Sequence, residues 1–288
     1  MKYKILVFLI SILFLINIVA VASPISNMLR KTETTNFDDP VPTWEVGDTW
    51  TYTFDNFTVD YDYGDIKIFI DGRIDDFKWS VVDASGTDYL VEFTGEITAD
   101  SYEIYLPLSS SILHVTGSIK PSRTSLSGTI VFTKSDLEMK DLSAELKGVV
   151  GAKINQIPIS IPIPFKITLN SSLSAVFPIF DFPLSDDKYW NLPALDITSN
   201  INVGGKFGLI KIPFTLTTSY SWIPFAFHCK PKTDVTVEAG TYSAYNIEST
   251  FFDMFDYYYA PSAGNLVKIN AIMPNGAASG ELKSTNYS

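Results

Sequence analysis

"INQIPISIPIPFKITL", residues 154–169, carries apolar side chains at seven consecutive odd positions: Ile157, Ile159, Ile161, Ile163, Phe165, Ile167 and Leu169. The even positions between them hold only Pro, Ser, Lys or Thr. A period of two with one apolar face marks a half-buried β-strand. Pro158, Pro162 and Pro164 all fall at even positions. Successive N–H groups along a strand point to alternate edges, so the three missing donors lie on the same edge. The segment is therefore expected to pair on one side and to be blunted on the other, as an edge strand is.

The same alternation extends outward from this segment. "TWTYTF" sets Trp50, Tyr52 and Phe54 against threonines, and "DIKIFIDG" sets Ile66, Ile68 and Ile70 on one face. Turn residues recur about every 8–12 residues, the spacing of all-β proteins. The best helical stretch, "DLEMKDLSAELKG" at 136–148, fits strands equally well. A repeat is also visible. "VGAKINQIPISIPIPFKITL" (150–169) echoes "VGGKFGLIKIPFTLTT" (203–218), with Ile163-Pro164-Phe165 over Ile212-Pro213-Phe214 once a four-residue gap is allowed. Each copy reads as a hairpin. Between the copies, "FPIFDFPLSDDKYWNLPALD" (177–196) has three prolines and reads as a connection wrapped over the sheet, aromatic side down.

Met1 to Ala22 has the layout of a secretory signal peptide: two early lysines, an apolar run from Ile5, and Ala20-Val21-Ala22 as a cleavage pattern. Left uncleaved, the run is nearly long enough to serve as an N-terminal anchor. Residues 23–43 read as a flexible tether, and residues 44–288 as a single β domain with 145–225 as a duplicated-hairpin embellishment. One cysteine, Cys229, excludes an internal disulfide, so stability must come from a core. The net charge of −11 disfavours nucleic acid and anionic lipid surfaces.

"WEVGDTWTYTF" (44–54), "VTVEAGTYSAYNIE" (235–248) and "YYYAPSAGNLVKI" (257–269) occur in that order, and "FPLSDDKYW" (182–190) looks like a degenerate second copy of the W-x-x-G-x-x-W-x-Y entry motif. This set resembles exported bacterial and archaeal β-proteins that are related in architecture to the LolA/LolB lipoprotein carriers. The resemblance implies a curved sheet or half-barrel. The chain departs from the carriers in having no lipid-attachment cysteine, in the 145–225 region, and in the glycine missing from "SDDKYW".

The candidate sites follow from residue chemistry. Trp50, Tyr52, Phe54, Ile159, Ile163, Phe165, Phe214 and Trp222 either line an apolar cavity or form plain core. Asp60, Asp62 and Asp65 in "DYDYGD" offer oxygens for a hard cation such as Ca²⁺, or make a solvated hairpin tip. Asn56, Asn170 and Asn286 head N-x-[ST] sequons. His228 and Cys229 are adjacent, so in a strand they point to opposite faces and cannot form a dyad. No nucleophile elbow, zinc-protease or phosphate-loop motif occurs. The expectation is an all-β, non-enzymatic secreted or cell-surface binding protein without a cofactor. Its partner would be a hydrophobic small molecule or lipid on a concave face. The alternative is a structural or adhesive envelope protein that associates with other envelope proteins.

Overall fold

The computed structural model describes residues 38–63, 66–107, 112–154, 161–192, 195–207, 210–222, 224–250, 255–273 and 276–288. Sixteen strands form one antiparallel sheet. The first seven are β1 (Thr49–Tyr63), β2 (Ile66–Asp83), β3 (Asp88–Pro107), β4 (Ile112–Ile119), β5 (Thr124–Thr133), β6 (Met139–Ile154) and β7 (Ile161–Phe177). Next come β8 (Lys188–Leu192), β9 (Leu195–Phe207), β10 (Ile210–Trp222), β11 (Phe225–Cys229) and β12 (Thr233–Val237). The last four are β13 (Gly240–Ser249), β14 (Phe255–Ala260), β15 (Asn265–Met273) and β16 (Gly276–Thr285). A single 3-10 turn, Pro261–Ala263, is the only helical element among the described residues. The stretch 136–148 that could read as a helix lies largely in β6, where burial alternates.

The spatial order is β10-β9-β7-β6-β4-β3-β2-β1-β16-β15-β14-β13-β11-β8, with β12 on β13. β5 bonds to both β3 and β6, so β3, β4, β6 and β5 form a ring of paired neighbours. The register explains the ring. β5 runs antiparallel to the first half of β3, and β4 runs antiparallel to its second half. β4 and β5 are thus two halves of one broken strand between β3 and β6. At the break, four positions on β6 (Gly148 to Gly151) face seven on the broken strand (Thr124 to Ser118), so three extra residues loop out. Pro121, which has no donor, and Ser122 at φ 57° make the loop.

Trp44 shows how far the sheet curls. Its ring lies 5.6 Å from Phe132 on β5, and its Nε1–H donates to Gly264 O at 2.8 Å, just ahead of β15. From β5 through β3, β2, β1 and β16 to β15 is five strand steps. In a flat sheet those steps would cover about 24 Å. One indole cannot reach that far, so the sheet wraps around it. The concave side is then filled. Segment 38–48 crosses it, and segment 178–187 crosses further along, with Phe180 and Phe182 packed edge-on against Tyr259. The expected wrapped connection is therefore present, with β8 added at its end.

The expected tether of 23–43 gives way before Trp44. Asp39 exchanges both backbone bonds with Leu184, at 2.8 and 2.9 Å. Its carboxylate accepts from Tyr245 Oη at 2.7 Å and pairs with Lys232. Pro40 and Pro42 remove donors that this crossing would otherwise leave unpaired. Residues 1–37, and with them the candidate signal segment, lie outside the described residues.

Close packing is bought with glycine where an aromatic ring lies across the sheet. A Cβ at Gly128 on β5 would fall well inside contact distance of both the Phe93 ring and the backbone Ser143 O. Phe54 lies over Gly280 on β16 in the same way.

The prolines of β7 act locally and do not make it an edge strand. Pairing with β6 runs through Pro162 and Pro164, so the missing donors face the other side. On that other side, pairing with β9 begins only at Phe165, once the prolines have ended. Residues 155–160, which include Pro158, lie outside the described residues. The duplicated hairpins are β6–β7 and β9–β10. They sit side by side as a four-stranded wing. Their registers match with Gly151 opposite Pro162 in one copy and Gly204 opposite Pro213 in the other. That equates Ile161-Pro162-Ile163 with Ile212-Pro213-Phe214, and reduces the four-residue gap to two.

The body's core carries a pH signature. Tyr52 Oη donates to Leu266 O at 3.0 Å and Tyr257 Oη to Ile179 O at 2.6 Å, and both rings are buried. Burial pushes both phenols well above the usual 10.0. The folded chain therefore keeps protons that the unfolded chain releases above pH 10. These groups contribute fully below that pH, and their contribution is lost as pH rises past it. Each buried tyrosine should cost on the order of 1 kcal/mol of stability per pH unit above 10. Urea unfolding should accordingly show a midpoint that is flat up to pH 10 and falls steeply above it, with these phenolates appearing together with unfolding. Gradual ionisation of every tyrosine in the folded state would contradict this.

Candidate functional site

Trp50, Tyr52 and Phe54 alternate on β1 into the body's core, at 0%, 2% and 3% exposure. Trp50 Nε1–H donates to Ala263 O at 2.7 Å, and the ring sits 5.0 Å from Trp44 and 5.8 Å from Tyr287. Phe54 packs edge-on against Phe77 at 5.8 Å. These three side chains face other side chains and bonded backbone, and they have no open space in front of them.

Ile163 and Phe165 are placed differently. They lie on the wing, with β7 five strand steps from β1. Along β7 the apolar stripe leaves the core by degrees: Leu169 is 2% exposed and Ile167 8%, and Phe165 and Ile163 are only half-buried. The register continues the stripe sideways. One row runs Leu146, Ile167, Val203, Phe214, and the next runs Gly148, Phe165, Gly205, Ile212. Phe214 thus shares the wing with Ile163 and Phe165. Trp222 pairs with Leu195 at the far end of β10. Ile159 lies outside the described residues. The seven described candidates therefore divide into a packed body group, Trp50, Tyr52 and Phe54, and a wing group, Ile163, Phe165, Phe214 and Trp222.

The chain matches no protein-family model, no curated protein and no solved structure. Function has to be read from its own groups.

Asp60 and Asp62 are both exposed near the end of β1. Asp62 is taken by Lys67 at 2.6 Å, and Asp65 lies outside the described residues. No group of three His, Cys, Asp or Glu side chains able to hold a metal occurs among the described residues. Asn56 is exposed on β1 opposite Ser279, and Asn170 is exposed on β7 between Ser143 and Asn200. Asn286 is also exposed, but its amide is in use. It accepts Thr49 N–H at 2.6 Å and donates to Gly47 O at 3.0 Å.

His228 and Cys229 point to opposite faces of β11, as the alternation requires. Cys229 is fully buried, and burial pushes its thiol up to about 12, which leaves it protonated and unreactive at neutral pH. His228 stacks flat on Tyr189 at 4.2 Å, with Asp187 at 3.3 Å and Glu248 at 3.6 Å. His114 repeats the arrangement. It stacks on Tyr105 at 4.2 Å and reaches Glu103 at 2.7 Å. Hydrogen bonds from Tyr105 and then His114 hold the Glu103 carboxyl below its usual range. Each set clamps a flat ring onto the sheet surface.

Sequence reasoning passed over Lys120, Arg123 and Lys153, which the β4/β5 break brings to the rim of one cleft. The only local signal is that two cations bracket Pro121-Ser122 inside an otherwise alternating stretch. Lys153 joins them through register alone.

Proposed function

We propose that this chain is a non-enzymatic extracytoplasmic binding protein that holds a hydrophobic or lipidic ligand on the apolar face of the wing. The supporting observation is the β7 stripe. Its inner half is sealed in the core, and its outer half, at Phe165 and Ile163, is half-buried and continues across the rows of β9 and β10. A sheet face of that kind suits an extended apolar chain better than a compact, fully enclosed ligand. The filled body serves as the rigid support.

Native mass spectrometry of the exported, purified chain tests this reading. A lipid-sized adduct is expected on the wild type and should be lost in the double variant Ile163→Ser/Phe165→Ser. An adduct that survives the double variant, or no adduct at all, overturns it. The competing reading is a structural or adhesive envelope protein, and it draws on β10. That strand ends the sheet order, and among the described residues its outer edge has no partner over 13 residues. Self-association unchanged by delipidation, with no adduct, is the outcome that reading predicts.

A further inference from the structure

We propose that the cleft at the β4/β5 break is a binding site for a phosphate-class oxyanion, on the face of the sheet opposite the wing's apolar stripe. The cleft is about 670 Å³ and lies on the outer face of the sheet. Its outward position follows from Gly117, which pairs with the inward-facing, buried Tyr102. The lining residues Thr116 and Ser118, one position to either side, must therefore face out.

Three cations line it: Lys120 and Arg123, raised on the looped-out residues, and Lys153 on β6. They stand apart from most basic side chains of this chain. Lys67, Arg73, Lys140, Lys147, Lys166, Lys188, Lys230, Lys232 and Lys283 each have a carboxylate within 4.0 Å. Lys134 has the Ala84 carbonyl and the Tyr89 ring. Besides Lys78 and Lys268, the three at the cleft are the basic side chains left without such a partner among the side chains described. In a chain of net charge −11, gathering three unneutralised cations at one cleft costs repulsion that a bound anion would relieve.

The remaining lining fits the same ligand. Gly151, paired with the outward-facing Ser118, puts no side chain into the cleft, so backbone is approachable there. The Thr116 and Ser118 hydroxyls add donors. Asp100 is the one carboxylate in the lining, suited to accept from an O–H of the ligand. Glu96, below the loop, is already occupied by Ser122 N–H at 3.0 Å. Arg123 supplies the fork that matches a phosphate in a bidentate way, and the lysines add point charge.

Isothermal titration with inorganic phosphate at low ionic strength tests the site, alongside flotation with phosphatidylcholine vesicles with and without phosphatidate. Saturable binding of inorganic phosphate assigns the site to the free ion. Flotation that needs phosphatidate, without binding of inorganic phosphate, assigns it to a headgroup. Either result supports the proposal if Arg123→Gln/Lys153→Gln weakens it about tenfold or more, as expected for losing charge-assisted hydrogen bonds. The variant Lys78→Gln/Lys268→Gln, of equal net charge, should bind as the wild type does. Binding of neither probe, or equal weakening by both double variants, overturns the site. All four substituted side chains lie at the surface or are half-buried, so folding should survive.

Discussion

Trp50→Ala should lower the unfolding free energy by roughly 4 kcal/mol, the usual range for deleting a fully buried indole. Trp50 is 0% exposed and touches both Trp44 and Tyr287, so truncation leaves a hole that three separate chain segments would have to close. It also leaves the Ala263 carbonyl without its donor at the 3-10 turn, a further penalty of about 1 kcal/mol or more. Against a typical total of about 5–15 kcal/mol, the variant should sit near the edge of folding. Urea unfolding is the measurement: the midpoint should fall with little change in slope. Trp50→Phe should lose less, since it keeps ring contacts and gives up the hydrogen bond. A loss under about 1 kcal/mol for the alanine variant would mean that Trp50 faces a void, and would restore it as a ligand-lining residue.

Gly128→Val is expected to be as damaging for the opposite reason. The added Cβ meets the backbone Ser143 O as well as the Phe93 ring. A ring can shift, but a carbonyl paired across β5 and β6 cannot move without parting the strands. Overpacking usually costs about 1–3 kcal/mol. With backbone as the obstacle, the upper end of that range or failure to fold is expected. Gly86, in the β2–β3 turn, is the control. A Cβ there meets nothing within 4 Å, so Gly86→Val should change stability by no more than about 0.5 kcal/mol. Phe93→Ala in the Gly128→Ala background separates the two obstacles. Restored stability would assign the clash to the ring, whereas no rescue assigns it to the carbonyl.

Alternation made most of the sheet readable because a half-buried strand writes its face into every second residue. The period at 161–169, the strands of the hairpin echo and the turns at Ser85–Asp88 and Pro261–Gly264 all depend on neighbours in sequence, and all are present as strands and turns among the described residues. What stayed hidden depends on neighbours in space. Prolines silence one edge of β7, but only the register shows β9 joining that edge at Phe165, where the prolines end. Whether Trp50 lines a cavity or fills a core cannot be read from its own strand, because Trp44, Tyr287 and the Ala263 carbonyl decide it. Residues 38–43 belong to the 23–43 stretch that reads as a tether because it is polar and lacks periodicity. Their bonds go to Leu184 and Tyr245, far along the chain. The cations at the strand break belong to two stretches, Lys120–Arg123 and Lys153, that no motif connects.

The pairing of β1 with β16 also fixes when the body can form. Thr49 and Asn286 are joined across 237 positions, and Trp44 and Trp50 both bond to carbonyls just ahead of β15. β1 therefore waits for β16, made more than 200 residues later, before its core can close. Until then the stretch from β1 to β10 has the broken strand and the wing to build, but its aromatic interior stays uncovered. A nascent chain held open this long keeps its aromatic interior exposed to other chains until β16 is made.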